Sequence, residues 1–169
     1  MSVKTRWRYG KRRTKRLIRE VNKLRANPYI KIGYPKEHQE PKEQKEGEKK
    51  DVTVLDVAIY HEYGTKDMPE RSFIRATRSS KYNSYKKLTN DSINQIIAGR
   101  TTVDKSLHKL GLIMVNDIKT FIRTRKVEPP SRRAKKEGGT TLWDTGQLIN
   151  SLGYSISTNG KTARKGKKL

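Results

Sequence analysis

The sequence predicts a single domain of the α+β class. Apolar residues recur every three or four positions over several helix-length stretches, whereas two short stretches alternate as strands do. A length of 169 residues leaves room for one modest core and hardly for two. We therefore expect a globular part over residues 13–158, preceded by a basic arm over residues 1–12 and followed by a basic, disordered tail over residues 159–169.

The first predicted helix runs from about Arg12 to Asn27, where it ends because the residue before a proline avoids the α region. Its apolar stripe has spacings of four and three: Leu17, Val21 and Leu24. A short strand over residues 29–33 follows, in which Ile30 and Ile32 share one face.

Residues 34–50 are predicted to form a mobile loop. Two prolines, a glycine and alternating Lys and Glu cannot bury enough surface to offset the entropy of ordering. A second helix is predicted from Asp51, which we expect to cap it, to Gly64, a natural helix stop. Its inward residues are expected to be apolar: Val54, Leu55, Ala58 and Ile59.

The next predicted helical region spans residues 76–98, with a candidate break at Asn90, before Gly99 interrupts it. The helix after it has the clearest stripe in the chain: Val103, Leu107, Leu110, Met114, Ile118 and Ile122. That stripe widens and predicts contacts on more than one side of the helix, through Leu112, Ile113 and Val115.

The last part of the chain is predicted to hold a polar loop over residues 127–140, a short helix and a strand over residues 152–157. Asp144 or Thr145 would accept the first free amide hydrogens of the short helix, and Gln147 lies at capping-box spacing from Asp144. Two leucines four residues apart would be buried: Leu148 and Leu152.

The chain carries 40 Lys and Arg against 17 Asp and Glu, a formal net charge of +23. Such a charge repels itself and favours polyanionic partners, such as nucleic acid, an anionic membrane or acidic protein surfaces. The membrane is the weakest of these candidates. The sequence has no run of about 18 apolar residues and no short hydrophobic segment after its basic N-terminus. We expect a protein that is cytosolic where it is made.

Cysteine is absent, which excludes disulfides, thiol catalysis and thiolate zinc sites. His61 and Glu62 are adjacent, but neighbouring helical side chains point about 100° apart and do not converge on one ion. A magnesium-dependent nuclease is disfavoured because the aspartates are scattered without a paired motif: Asp51, Asp56, Asp91, Asp104, Asp117 and Asp144. We predict no catalytic, cofactor-binding or metal-binding residue, and no enzyme.

Two segments carry the most information about function. Glu62-Tyr63-Gly64-Thr65 ends the second helix, where we expect Gly64 to adopt a conformation that disfavours a Cβ. Tyr63 is expected to pack back on that helix, and Thr65 to hydrogen-bond loose backbone groups. The second segment is the predicted helix start at residues 144–151.

In this order the two segments resemble the tail-completion, or tail-terminator (neck), proteins of long-tailed bacteriophages. In that family a helix ending in E-[FY]-G-T runs into P-x-R-x-F-[IL], and a late [DN]-T-G-x-L-x-x-S turn closes the fold. The resemblance covers roughly residues 29–157 and departs at Ser72 and Trp143. The matching residues are Glu62, Tyr63, Gly64, Thr65, Pro69, Arg71, Phe73, Ile74, Asp144, Thr145, Gly146, Leu148 and Ser151.

The resemblance implies a small, mostly antiparallel sheet flanked by helices, with long loops that reach adjacent protomers. The polar composition of residues 34–50 and 127–140 makes these loops candidates for segments that order on docking. It also implies that Phe73 anchors an extended segment, residues 69–74, in the core. The implied function is structural: a homohexameric ring on the tail tube that joins it to the head-completion (stopper) protein beneath the portal. Its partners would be further copies of itself, the tail tube protein and the head-completion protein. It would act at the head–tail junction of the virion, after assembly in the host cytoplasm.

Two cationic clusters are candidates for sequence-independent contact with the genome in the lumen of such a ring: Arg6, Arg8, Lys11, Arg12 and Arg13, and Arg132, Arg133, Lys135 and Lys136. The first cluster would equally serve as a helix extension that docks on a neighbour. Arg71 and Arg75 are expected either to form ion pairs across subunits or to be solvated.

The main alternative is a general nucleic-acid-binding protein. It explains the charge equally well and the two motifs not at all, and the sequence lacks recognised RNA-binding signatures.

Overall fold

A computed structural model of the chain describes residues 3–34, 52–124, 146–158 and 161–165, with side chains for residues 11–34, 52–124 and 146–158. The elements are α1 (Val3–Arg25), β1 (Pro28–Gly33), α2 (Val54–Tyr63), α3 (Ile74–Ile97), α4 (Val103–Thr124), α5 (Gln147–Asn150), β2 (Gly153–Thr158) and β3 (Lys161–Lys165). This architecture confirms the predicted α+β class. The predicted loops over residues 34–50 and 127–140 lie outside the described residues, except for Tyr34.

The first helix differs from its prediction in where it starts and in what it buries. α1 begins at Val3, so residues 3–12 of the predicted arm are part of a helix. Within the predicted stripe Val21 is exposed, while Glu20 is 2% exposed. The helix ends as expected, because Asn27 adopts a left-handed conformation (φ 47°) before the proline.

The sheet is antiparallel in the order β1-β2-β3. β1 and β2 agree with the predicted strands within one residue, and Ile30 lies opposite Ile156 in their register. The tail predicted to be disordered over residues 159–169 contains β3, which pairs with β2. A strand at the edge of a sheet pairs with its neighbour through backbone hydrogen bonds, which do not depend on the side chains. A strand rich in lysine can therefore form there.

Thr53, not Asp51, caps α2. Its side chain accepts a hydrogen bond from the Asp56 N–H (3.1 Å), and the Asp56 carboxylate accepts one from the Thr53 N–H (3.0 Å). This reciprocal pair is a capping box, which needs an acid three residues after the cap and fixes the start of the helix. Ala58 is buried as predicted, whereas Ile59 is 44% exposed and not inward.

α3 begins at Ile74 and passes Asn90 without a break, and Gly99 follows it with a φ of +73°. α4 matches its prediction closely, although Leu112, 43% exposed, lies outside the widened stripe. Among the described side chains, the main core consists of Tyr34, Ala58, Phe73, Val115, Ile118, Ile122, Leu148, Ile149 and Leu152. Ile32 of β1, Ile74 of α3 and Tyr154 of β2 are partly buried and pack against it. Tyr34, predicted to begin the mobile loop, is therefore part of the core. None of the helices in the described ranges is long and apolar enough to cross a membrane.

Candidate functional site

Glu62, the first residue of the E-Y-G-T segment, caps a helix other than its own. Its side chain lies on the last turn of α2 and is almost completely buried. The two carboxylate oxygens accept hydrogen bonds from the backbone N–H groups of Phe73, Ile74 and Arg75, at 2.9, 2.9 and 2.8 Å. These groups open α3 and have no acceptor within that helix. A negative charge at this position also interacts favourably with the α3 macrodipole.

Side chains complete this arrangement, which we call the Glu62 cap: Glu62 with residues 72–75. The Ser72 hydroxyl donates to the carboxylate at 3.0 Å, and Arg75 Nε donates to it at 3.2 Å. Arg75 also donates to the Glu62 carbonyl and to the Glu70 carboxylate. Arg75, which was predicted either to pair across subunits or to be solvated, forms two ion pairs within its own chain while its side chain stays 49% exposed. Ser72, the residue that departs from the family pattern, has a direct role here.

The hydrogen bonds of the Glu62 cap change the acidity of the carboxyl group. Burial alone would raise the pKa of Glu62. The N–H groups of Ile74, Arg75 and Phe73 and the hydroxyl of Ser72 outweigh that effect and lower the pKa below its ordinary value. Glu62 is therefore ionised at neutral pH, and its charge contributes to the stability of the turn.

The turn that follows is too tight for any residue but glycine at position 64. Gly64 has φ 73° and ψ 174°, and its N–H donates to the Tyr60 carbonyl at 2.9 Å. A Cβ there would lie 2.9 Å from Glu70 N and 3.0 Å from Met68 O. The Thr65 hydroxyl accepts from the Met68 N–H at 3.1 Å, so the predicted roles of Gly64 and Thr65 are both found.

Tyr63 does not pack back on α2 as predicted. Its side chain is 65% exposed, and the Arg75 guanidinium lies over its ring, 4.7 Å from the centroid. Ile59 and Tyr60 are also exposed, one turn earlier on the same side of α2. We call these three residues the α2 face.

The P-x-R-x-F segment holds the chain against the core. Phe73 is fully buried, as the resemblance implies, while Pro69 is exposed. Arg71 is 6% exposed and its N–H donates to the His61 carbonyl at 2.7 Å, so the prediction of a solvated Arg71 is wrong. Burial and the Arg71 charge lower the pKa of His61, which is therefore neutral at pH 7. Burial, followed by the charge of Glu62, raises the pKa of Tyr34.

The described residues of the second motif pack beside the first. Gly146 precedes α5 with φ 73°, and Leu148 and Ser151 are buried. α5 packs against α2, and Leu148 joins Phe73 in one core. Asp144 and Thr145, the predicted caps, lie outside the described residues, as does Trp143.

A second buried glutamate, which the sequence analysis missed, caps α4. Glu20 Oε2 accepts from the Val103 N–H at 2.9 Å. Arg19 and Lys23 lie 3.6 and 3.7 Å from its other oxygen and balance the charge. The signal in the sequence that could have revealed this cap is the position of Glu20 on the inner side of α1, between Leu17 and Leu24.

The cationic candidates are only partly described. Lys11, Arg12 and Arg13 are exposed on α1. Arg6 and Arg8 lie on the helical backbone of α1, with side chains outside the described set. The second cluster lies outside the described residues altogether: Arg132, Arg133, Lys135 and Lys136. Within the described part of the chain, no three His, Asp or Glu side chains are placed to hold a metal ion.

Comparisons with protein-family models, curated proteins and solved structures give no match to this chain.

Proposed function

We propose that this chain is a structural virion protein of a long-tailed bacteriophage. It forms a ring at the head–tail junction, completes the tail and joins it to the head-completion protein. The observation that carries the proposal is the Glu62 cap. Within the first motif of the resemblance, Glu62 accepts hydrogen bonds from the backbone of Phe73 and Ile74, and Gly64 occupies a turn in which a Cβ would meet the backbone of Met68 and Glu70.

The α2 face supports assembly with other copies. Only 31% of the residues in this chain are apolar, against roughly 45–50% in an average soluble domain by a count that includes Gly. Even so, three large apolar side chains project from a helix of 10 residues: Ile59, Tyr60 and Tyr63. A ring closes through a heterologous contact, in which this face of one copy meets a different surface of the next. The tail tube and head-completion proteins would bind the two ends of the ring.

The alternative remains a non-specific nucleic-acid-binding protein. The net charge of +23 favours it, and so do the exposed arginines on α1. It gives no reason for the Glu62 cap or for the α2 face.

The test is electron microscopy of cells infected with phage that carry a nonsense codon early in this gene. We expect filled heads beside detached tails, and joining of the two when purified wild-type chain is added to the lysate. Intact virions from the nonsense mutant would refute the proposal.

The same complementation assay tests the α2 face. Tyr60→Asp should abolish ring formation and joining, since it places a charge in the contact. Tyr82→Asp is the matched control, because Tyr82 is 57% exposed and lies on a different helix, α3. Equal activity of the two variants would exclude the α2 face as the ring contact.

A further inference from the structure

A cleft lies between α1 and the connection from α3 to α4. Its volume is about 520 Å³, within the range of roughly 300–1,000 Å³ typical of ligand pockets. One side is lined by arginines of α1: Arg12, Arg13 and Arg16. The floor is apolar and is formed by Leu17, Ile96 and Ile97. We call it the arginine cleft.

The arginines are held in a regular array. Arg12 and Arg16 are four residues apart on one face of α1, which places them about 6 Å apart. Arg13 donates to the Ala98 carbonyl at 3.4 Å and joins the two walls of the cleft. Within the described side chains, neither Arg12 nor Arg16 forms an ion pair, so both guanidinium groups are available to an anion.

The inner end of the cleft does not repel an anion. Glu20 lies there, but one of its oxygens accepts the Val103 N–H, and Arg19 and Lys23 flank the other. Its side chain is also 2% exposed. The accessible charge in the cleft is therefore that of the arginines.

The floor indicates what kind of anion fits. Ile97 is 57% exposed beside three cationic side chains, and Leu17 is half-buried. A cationic rim over an apolar floor suits a ligand that has both a phosphate and a flat, weakly polar group. A nucleotide with an unstacked base has both, whereas a duplex presents phosphates and sugars on its outside.

We infer that the arginine cleft binds an unpaired nucleotide of a nucleic-acid strand, without regard to sequence. Arg12 and Arg16 contact phosphates, and the base lies against Leu17 and Ile97. The inference stands on the cleft and does not depend on ring formation, so either proposal can fail without the other.

The test is fluorescence anisotropy with a labelled oligothymidine of about 12 nucleotides and a duplex of equal length, using the full chain. The variant Arg12→Glu with Arg16→Glu should weaken binding of the single strand at least tenfold at about 100 mM NaCl. A plot of the logarithm of the association constant against the logarithm of the NaCl concentration should also become less steep, by about 1.4, because two phosphate contacts are lost. Arg12→Gln with Arg16→Gln is a milder version if the first variant does not fold.

Lys86→Glu with Lys87→Glu is the control. It makes the same change in net charge at exposed α3 positions about 15 Å along the helix from Ile97. It should weaken binding less than threefold. Ile97→Ser should weaken binding of the single strand about threefold and leave the duplex unaffected.

Three results would overturn the inference. The first is an equal loss in the arginine and lysine variants, and the second is duplex binding as tight as that of the single strand. The third is displacement of the oligonucleotide by an oligoglutamate peptide at equal concentration, which would assign the cleft to acidic protein surfaces.

Discussion

Gly64 and Gly99 share a φ of +73° but differ in their surroundings. A Cβ on Gly64 would meet the backbone of Met68 and Glu70, whereas nothing lies within 4 Å of a Cβ on Gly99. Gly99→Ala should therefore cost only the strain of a left-handed alanine, about 1 kcal/mol. Gly64→Ala adds a backbone collision and should cost about 3 kcal/mol. Urea denaturation of both variants measures the difference, and equal losses would show that the turn relaxes around the new methyl group.

Glu62→Gln should lower the free energy of unfolding by about 3 kcal/mol at pH 7. The amide removes the charge and presents an NH₂ group to backbone donors that then lack an acceptor. Glu70→Gln is the matched control: its side chain is 53% exposed and it pairs only with Arg75 among the described contacts, so it should cost less than about 1 kcal/mol.

The Glu62→Gln variant also tests how the stabilising effect of Glu62 depends on pH. The pKa of Glu62 is lowered in the folded protein, so its contribution is complete above its ordinary pKa of about 4.3 and declines as pH falls through the folded pKa. The stability difference between wild type and Glu62→Gln should therefore be constant from pH 7 to 5 and shrink below about pH 4. Both proteins retain His61, so its titration cancels. A difference that stays constant to pH 2 would contradict the assigned role.

At the scale of single residues, the sequence predicted the roles of Gly64 and Thr65 in the turn after α2 correctly, because these roles depend on a few neighbouring residues. It did not predict the partners of Glu62, Arg71 or Arg75. Those depend on how α2 meets the start of α3, and a local pattern cannot fix that geometry.

At the scale of the elements, Gly111 of α4 lies directly against Tyr154 of β2. A Cβ there would collide with the ring of Tyr154, whose hydroxyl lies 3.0 Å from His108 Nδ1. Gly111→Ala should destabilise the protein by about 2 kcal/mol despite the higher helix propensity of alanine.

In a Tyr154→Ala background, which removes Cγ and the ring, the same change should be neutral or stabilising. A thermodynamic cycle of the two substitutions, measured by thermal or urea denaturation, tests this. Additive effects would mean that the ring moves aside at no cost.

The helices and strands were largely predictable because they follow from periodicity. α4 was found in full, since its stripe recurs regularly from Val103 to Ile122. The errors in the bounds and caps of the elements fell at their ends. α1 extends into the basic arm, Thr53 replaces Asp51 as a cap, and β3 lies in the predicted tail. In each of these three cases hydrogen bonds of the backbone determine the structure, and such bonds produce no apolar pattern in the sequence.

For the whole molecule, self-repulsion is the dominant electrostatic effect. With a net charge of +23, added salt should screen more repulsion than attraction. The melting temperature should therefore rise between about 50 and 500 mM NaCl in differential scanning calorimetry. Lys86→Glu with Lys87→Glu lowers the net charge by four and should reduce that rise. A melting temperature that falls with salt would show that the ion pairs outweigh the repulsion.

The bond from Glu20 to Val103 N–H spans 83 residues of chain. On a ribosome that adds roughly 5–20 residues each second, α1 is made about 4–17 s before the amide that its carboxylate will accept. Until Val103 has been synthesised, the Glu20 carboxylate lacks the backbone N–H that it accepts in the folded protein. The hydrogen bond that buries the Glu20 carboxylate therefore forms only after α2 and α3 have been synthesised. The long basic helix is the first element to be made, and this contact has to wait for α4.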